Sequence, residues 1–378
     1  MKRRTKKGLL IAVATVCCVS TALIGMMLYG KHQMNKIPGL TFEEALAYTT
    51  KDTPEATITV GIIKGGESWY TVYGKDGKIL PEELHTYEIG SLTKTFTAAL
   101  VNKAVTEGEI SLSDTIDQYL SLPEGKKYPT IRELLTHTSG YKGYYFESPM
   151  IGNFFQGRND FYGITKEMVL DKTGELNMVK EEYGFTYSNY GYAVLGLVLE
   201  AVYDTDYTSL LNNFAQNELG LSDTKISDGS GDLGNNWDWK SDDAYLSAGA
   251  VTSNITDMLA YARIQLEDNP IFSECHKSLA VINASTEDYK AMGINMDEIG
   301  MAWIIDKENG ILWHNGGTGN YNCYLGFQPE TGTAVVVLSN LPPSYRIPAT
   351  VLGIKALHEL GWEFSNQVDQ SKSEEMKR

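Results

Sequence analysis

A serine and a lysine three residues apart, Ser91 and Lys94, are the strongest candidates for chemistry in this sequence. They lie in a stretch, 87–101, whose apolar residues recur at helical spacing from the serine onward. A separation of three places both side chains on one face of a helix. The lysine amine can then take the serine proton, while the N–H groups at the helix N-terminus stabilise developing negative charge. The pattern predicts a serine nucleophile.

The same Ser-x-x-Lys spacing occurs twice more, at Ser139 with Lys142 and at Ser222 with Lys225. Ser139 is followed by a glycine that disfavours a helix, and Ser222 lies in a polar loop. Of the three serines, Ser91 alone opens a long amphipathic helix. Context therefore selects Ser91, although the bare spacing is weak evidence.

A second candidate element is the Tyr-x-Asn sequence of Tyr187 and Asn189, directly before a predicted helix from Tyr190. A phenol beside ammonium groups can be held partly as phenolate and act as a general base, and an amide can orient a substrate carbonyl. The chain has 23 tyrosines, so one such sequence is expected by chance. The alternative interpretation is an aromatic loop that packs on the core.

A third candidate element is the sequence from His314 to Gly317, which ends one predicted strand and leads into a hairpin. Small residues after His314, including Gly316, would let a substrate lie along this strand. The Gly317 N–H would then join the Ser91 N–H as an oxyanion hole. The alternative is a glycine-rich turn that carries a surface histidine.

Ser-x-x-Lys, Tyr-x-Asn and His-x-Gly, in this order along the chain, resemble the signature of the serine penicillin-recognising enzymes. A tyrosine in the second element resembles the class C β-lactamase branch, which also holds D-alanyl-D-alanine carboxypeptidases and related esterases. The resemblance covers roughly 40–362. Flanking sequences agree with it at 134–140, 187–196, 247–250 and 316–340.

This resemblance implies an acyl-enzyme mechanism on Ser91, with water releasing the acyl group. It implies that Lys94 and Tyr187 share the role of base and that Asn189 holds the substrate. It also implies that the Ser91 and Gly317 N–H groups bind the oxyanion.

One departure from the β-lactamase pattern bears on the substrate, because His314 stands where these enzymes usually have lysine. Histidine is only partly charged near neutrality, so it would bind a substrate carboxylate in a pH-dependent way. Within the family, this histidine resembles the carboxypeptidase, D-amino-acid amidase and esterase members. The resemblance therefore favours a D-alanyl carboxypeptidase, amidase or esterase acting on cell-envelope or related substrates. A class C-like β-lactamase and a β-lactam-acylable sensor without efficient turnover are the alternatives.

Two further features, a Lys-Thr-Gly sequence and His137, receive no catalytic role. A literal Lys-Thr-Gly sequence at 172–174 precedes Tyr187 and ends a helix-like run, so it is rejected in favour of the His314 element. His137 resembles a structural segment of the family and is assigned to packing.

The order of predicted elements indicates the fold class. Strand-like runs at 57–73 and 301–339 enclose mainly helical sequence at about 111–241. The expected fold is α/β of the α+β type, with a mixed, mainly antiparallel sheet flanked by helices and a helical insertion. The resemblance implies a β-lactamase/transpeptidase-like domain over 40–364, followed by a polar tail over 365–378.

The N-terminus differs in composition from the rest of the chain. Residues 1–7 are basic and 8–30 form an uncharged run of 23 residues, long enough at roughly 34 Å to cross a bilayer as a helix. Positive charge before this run predicts a single-pass anchor with a cytoplasmic N-terminus, a linker at 31–39 and an extracytoplasmic catalytic domain. A cleaved signal peptide is the alternative.

Charge and cysteine content exclude several classes of function. Residues 1–36 carry seven basic and no acidic residues, which leaves 25 basic against 48 acidic residues elsewhere and argues against nucleic-acid binding. The expected partners are the membrane, through the anchor, and a small-molecule, peptide or ester substrate, with cell-wall compounds as candidates that the resemblance suggests. Cys275 and Cys323 could pair, and the sequence predicts no metal and no cofactor.

Overall fold

The computed structural model of the chain describes residues 36–180 and 182–360. Its strands are β1 (Ile58–Lys64), β2 (Glu67–Tyr73), β3 (Tyr87–Glu88), β4 (Lys225–Ile226), β5 (Val251–Ser253), β6 (Ala280–Val281), β7 (Glu298–Ile299), β8 (Ile304–Asp306), β9 (Ile311–Gly317), β10 (Asn322–Gln328) and β11 (Thr333–Ser339). Eight of them form one sheet in the order β2-β1-β11-β10-β9-β8-β7-β6, with antiparallel neighbours throughout. The N-terminal hairpin thus pairs with the last strand, so the sheet joins the two ends of the domain.

Helices pack on both faces of this sheet. Those of the described residues are α1 (Phe42–Thr50), α2 (Thr93–Glu107), α3 (Ile131–Leu135), α4 (Pro149–Gln156), α5 (Lys166–Glu175), α6 (Asn189–Tyr203), α7 (Tyr207–Asn213), α8 (Leu246–Gly249), α9 (Ile255–Leu266), α10 (Pro270–Ser273), α11 (Glu287–Ala291) and α12 (349–360). Threonine side chains cap the starts of α1 and α3 in capping boxes, at Thr41 and Thr130. These caps satisfy the free N–H groups of the first turn and so fix where the two helices begin.

Strand β11 shows how the sheet separates two hydrophobic cores. Side chains alternate between the two faces of a strand. Val336 and Leu338 pack in the larger core, with α2, α6 and α9, whereas Val335 and Val337 pack in the smaller core, with α1 and α12. All four side chains are buried, as expected for a central strand covered on both faces.

Much of the predicted architecture is confirmed. Strands near both ends of the domain form one sheet, and helices α3 to α7 fall within the predicted insertion. A second sheet, β3-β5-β4, was not predicted, because strands of two or three residues leave no periodic pattern. Every recorded strand pair is antiparallel, where a mixed sheet was expected.

The predicted membrane anchor at 8–30 lies outside the described residues, as does the polar tail. Within 36–180 and 182–360, no helix has the length and apolar character needed to cross a bilayer.

Candidate active site

Ser91 lies in a 3₁₀ turn, Gly90–Leu92, which leads directly into α2. Gly90 has a φ of 49°, a left-handed conformation that a side chain disfavours. A Cβ atom at this position would also lie 2.6 Å from the backbone nitrogen of Gly317. Glycine is therefore required at position 90 both by the turn and by the close approach of strand β9 to the nucleophile.

Lys94 lies in the first turn of α2 and is completely buried. Its Nζ atom is 2.9 Å from Ser91 Oγ, 2.8 Å from Asn189 Oδ1 and 2.6 Å from the carbonyl oxygen of Ala248. The predicted serine and lysine pair is thus within hydrogen-bond distance. Asn189 and Ala248 fix the amine against the serine.

Burial also sets the protonation state that Lys94 favours. Desolvation disfavours the charged form and lowers the pKa of Lys94 well below its usual value. In the neutral form that burial favours, Nζ can donate to the two carbonyl oxygens of Asn189 and Ala248, and its lone pair is then left to accept the Ser91 hydroxyl proton. This geometry is that of a general base on its nucleophile.

Tyr187 reaches the same centre from the loop before α6. Its hydroxyl is hydrogen-bonded to Ser91, and Lys94 Nζ lies 5.0 Å from the centre of its ring. The residue keeps 39% of its surface exposed, but burial of the hydroxyl dominates and raises the pKa of Tyr187 above its usual value of 10. The expected partial phenolate is therefore wrong for the unliganded site, where Tyr187 is a neutral phenol.

Asn189 is the first residue of α6, and the preceding Ser188 caps that helix by accepting from the Gly191 N–H at 2.9 Å. The cap turns the chain so that the Asn189 amide faces the site. Its oxygen binds Lys94, while the residue lines the same cavity as Ser91. Asn189 thus has a contact to the catalytic amine in addition to the expected one to substrate.

Strand β9 carries His314, Gly316 and Gly317 along the edge of the site. The strand continues to Gly317, beyond its predicted end at His314. A Cβ atom at Gly316 would lie 1.9 Å from the carbonyl oxygen of Ile89, so only glycine allows β9 to contact the segment that carries Ser91. Gly317 lines the same cavity as Ser91, which is the arrangement that a shared oxyanion hole requires.

His314 is buried, and its ring centre lies 6.4 Å from that of Tyr187. Its Nδ1 donates to the carbonyl oxygen of Asn315 at 2.6 Å. Desolvation lowers the pKa of His314 to about 3 despite this hydrogen bond. The expectation of a partly charged histidine near neutrality is therefore wrong for this site, because the sequence does not reveal the burial.

His137 has a supporting role that the sequence did not reveal. Its carbonyl oxygen accepts from the Thr186 N–H at 2.8 Å, and its Nδ1 accepts from the Ser188 N–H at 3.0 Å. These two bonds hold the backbone on both sides of Tyr187, and the ring centres of His137 and Tyr187 are 4.5 Å apart. His137 adopts a φ of 57°, the left-handed conformation that presents its carbonyl and ring to the same segment.

Glu88 is a second supporting residue that was not predicted. Its carboxylate accepts hydrogen bonds from the backbone N–H of Trp237 at 2.6 Å and from the side-chain hydroxyl of Thr318 at 2.5 Å. The residue is buried three positions before Ser91, and desolvation raises the pKa of Glu88 to about 7 in spite of both hydrogen bonds. Glu88 thereby joins the nucleophile segment to the loop carrying Trp237 and to the end of β9.

Two cavities are lined by residues of the candidate site. One, of about 100 Å³, contains Ser91 and Gly317 and has an aromatic wall. That wall consists of Phe161, Trp237, Trp239 and Tyr245. The other, of about 620 Å³, is mainly apolar and is lined by Tyr187 and Asn315. Tyr187 therefore stands between the Ser91 cavity and the larger one.

The competing motifs do not form comparable sites. Ser139 is buried, and its Oγ accepts from the Tyr141 N–H at 3.2 Å. Ser222 is on the surface, and Lys172 of the rejected Lys-Thr-Gly sequence lies within α5 and pairs with Glu175. The separation of these serines from a buried lysine supports the choice of Ser91.

Cys275 and Cys323 are both buried free thiols, so the pairing left open by the sequence is not formed. Among the described residues, no group of His, Cys, Asp and Glu side chains has the arrangement of a metal site.

Comparison with known families identifies a relationship over most of the chain. The family described as Beta-lactamase matches residues 42–357. Protein flp of Staphylococcus aureus strain MRSA252 is 24% identical over 316 residues, which are 75% of this chain and 59% of that protein. The chain therefore spans less than two thirds of the length of this relative.

Solved structures share the fold at low identity. The octameric penicillin-binding protein homologue from Pyrococcus abyssi has a TM-score of 0.66 and 22% identity, over 84% of this chain and 75% of that one. The Beta-lactamase/D-alanine Carboxypeptidase from Yersinia pestis has a TM-score of 0.64 and 18% identity, over 86% of this chain and 97% of that one.

Proposed function

Because the chain belongs to the beta-lactamase family of serine hydrolases, we propose that it cleaves ester or amide bonds through an acyl-enzyme on Ser91. The observation that carries this proposal is the buried Lys94 amine, 2.9 Å from Ser91 Oγ. A buried lysine whose pKa is lowered by desolvation is a competent base for a serine hydroxyl.

The chemistry follows from the contacts. Ser91 Oγ attacks the substrate carbonyl as its proton passes to Lys94, and a C–O bond forms to the serine. The Tyr187 hydroxyl, bound to Ser91, gives its proton to the leaving group as the bond between that group and the carbonyl carbon breaks. Water then attacks the acyl-enzyme and loses a proton to the Tyr187 phenolate. As the acid leaves, the Lys94 ammonium returns its proton to Ser91 Oγ, which restores all three residues. The N–H groups of Ser91 and Gly317 stabilise both oxyanions.

The neutral state of His314 bears on the substrate class. A carboxypeptidase or β-lactamase substrate carries a carboxylate, which a fixed positive charge on the third element would hold. A buried ring with a pKa of about 3 supplies hydrogen bonding without charge. Within the group of D-alanyl carboxypeptidase, amidase and esterase, this favours amides and esters, with cell-envelope or related compounds as substrates.

The proposed location is the outer face of the cell membrane. The uncharged run at 8–30 with basic residues before it supports a single-pass anchor. A protease-protection experiment on the full chain in sealed membrane vesicles of known orientation tests this, because only an extracytoplasmic domain is cleaved from the outer face of right-side-out vesicles.

Class C-like β-lactamase activity is the second candidate, since Tyr187 occupies the base position and the fold neighbours include a protein named Beta-lactamase/D-alanine Carboxypeptidase. A β-lactam-acylable sensor would use the same residues but release the acyl group slowly. The three functions therefore differ in which acyl-enzyme forms and how fast it is hydrolysed.

Time-resolved intact-mass spectrometry of the purified chain separates these functions. The protein is mixed in turn with a D-alanyl ester, a D-alanyl-D-alanine peptide and a β-lactam. A Ser91 adduct that forms and decays fastest with the ester supports the proposal, and fastest decay with the β-lactam supports the second candidate. A stable adduct identifies a sensor. An adduct that persists in Ser91→Ala but is lost in Ser139→Ala or Ser222→Ala would exclude Ser91 as the nucleophile.

A further inference from the structure

Helix α4 exposes its apolar side chains and buries a polar one. Asn153 is its buried residue, and the Asn153 amide donates to the carbonyl oxygens of Asp160 at 3.2 Å and Tyr162 at 2.8 Å. Phe154 and Phe155 are 75% and 81% exposed. This orientation is the reverse of the usual one for a surface helix, where the apolar face packs on the core. Asn153 therefore fastens the helix with its apolar face outward.

The exposed face of α4 continues into the active site. A shallow hollow of about 240 Å³ lies between Phe154, Met150 and Phe161. Phe161 also forms part of the aromatic wall of the cavity that contains Ser91. Its ring stacks on Tyr245 at 4.2 Å between centres and lies 6.5 Å from that of Trp237. A continuous apolar surface thus runs from the nucleophile to α4 through Phe161.

The position of Tyr187 decides which part of a substrate meets this surface. The leaving group must lie next to the group that protonates it, and the Tyr187 hydroxyl bound to Ser91 is that group. Tyr187 borders the larger cavity on the other side of the site. The acyl part of the substrate therefore lies on the opposite side, against Phe161 and Trp237.

We propose that the physiological substrate carries an extended apolar acyl group, which runs from Ser91 past Phe161 onto the exposed face of α4. This inference rests on the acyl-enzyme function proposed above and adds the chemical class of the acyl group. The wall excludes water from the acyl chain near the nucleophile, and Phe154 with its neighbours binds the distal part. An exposed apolar patch of this kind would otherwise favour aggregation. Binding of an acyl chain gives these aromatic side chains a reason to be exposed.

The test measures kcat/KM for p-nitrophenyl esters with unbranched acyl groups from acetate to decanoate, since the leaving group stays constant. Assays use the full chain in one fixed detergent buffer, so that partitioning of the esters is the same for every variant. We expect kcat/KM to rise by up to about fourfold with each added methylene, because complete burial of one methylene is worth about 0.8 kcal/mol. A flat or falling series from acetate to decanoate would overturn the inference.

Two variants assign the effect to the surface. Phe154→Ser with Phe155→Ser should lower the decanoate-to-acetate ratio of kcat/KM about tenfold or more, and both positions are exposed enough to tolerate the change. Trp69→Ser is the control, because Trp69 is an exposed aromatic residue on β2 that lines neither the hollow nor the Ser91 cavity. An unchanged ratio in the double variant, or an equal loss in the control, would contradict the role of α4.

Other functions of the patch give different results. If the double variant alters the sedimentation coefficient or vesicle binding while the acyl-length series is unchanged, α4 is a docking surface for a second copy or for lipid, and the inference fails. Ser91→Ala separates the two proposals. Esters hydrolysed equally fast by Ser91→Ala would refute the proposed function, whereas a flat series with Ser91-dependent hydrolysis would refute the acyl-group inference alone.

Discussion

The Nζ atom of Lys94 lies 2.9 Å from Ser91 Oγ, and Lys94 is fully buried in the protein. Burial removes the water that would stabilise an ammonium group, so this contact joins a serine to an amine with a lowered pKa. The same pair of residues in an exposed helix would leave the lysine charged at pH 7, without a lone pair to accept a proton.

Replacement of Lys94 tests its role as base. Lys94→Arg introduces a group that stays protonated, and Lys94→Met removes the base with similar bulk. Each should lower kcat/KM by about 10²- to 10⁴-fold, and the rise of activity with pH through the lowered lysine pKa should disappear. Lys103→Met is the control on the same helix, because Lys103 pairs with Glu218 at the surface. Activity within threefold of the unmodified protein in Lys94→Met would exclude the assignment.

The pH dependence of KM tests the neutral state of His314. With a pKa of about 3, the ring stays uncharged from pH 5.5 to 8, so its charge does not change in that interval. We expect a flat KM for a carboxylate substrate in both the unmodified protein and His314→Gln. A KM that rises with pH in the former and is flat in the latter would show that His314 gains a proton when the substrate binds.

His137 is expected to position Tyr187. His137→Ala removes the ring acceptor for the Ser188 N–H, and we expect kcat to fall about tenfold or more with a small change in KM. His137→Asn should restore part of kcat, because asparagine tolerates the left-handed φ of 57° and offers a side-chain oxygen.

Turnover in both His137 variants should be divided by the number of Ser91 sites that a covalent label titrates. A purely structural role would reduce the number of labelled sites and leave kcat per site unchanged, which would contradict the positioning role.

Glu88 should make stability depend on pH. Folding raises the pKa of Glu88 from about 4.5 to about 7, so the folded protein binds more protons than the unfolded chain between these values. The contribution of Glu88 to the free energy of unfolding therefore falls as pH rises from 4.5 to 7, by about 3 kcal/mol. Glu88→Gln removes this titration.

Denaturant unfolding of the Glu88→Gln variant and the unmodified protein at pH 5 and pH 7.5 measures the effect. The variant should gain stability relative to the unmodified protein as pH rises, since titration of all other groups is common to both. An equal difference at the two pH values would mean that Glu88 does not titrate in this range.

The sequence alone predicted the parts of this protein that depend on local pattern. Helical spacing placed Ser91 and Lys94 on one helix face, and strand-like runs located the principal strands. The order of the three motifs along the chain predicted the family, which the match over residues 42–357 confirms. These features could be predicted because neighbouring residues determine backbone conformation and the face to which a side chain points.

The tertiary structure decided the chemistry of the same residues. Burial lowers the pKa of Lys94 towards that of a base, keeps Tyr187 a neutral phenol and leaves the His314 ring uncharged. The roles of His137 and Glu88 arise from hydrogen bonds to residues about 50 and 150 positions later in the chain. A protonation state depends on the solvent and the charges around a group, and distant segments supply these only after folding. For that reason the sequence alone could nominate the candidate residues, and only the packed structure reveals the surroundings that set the protonation state of each.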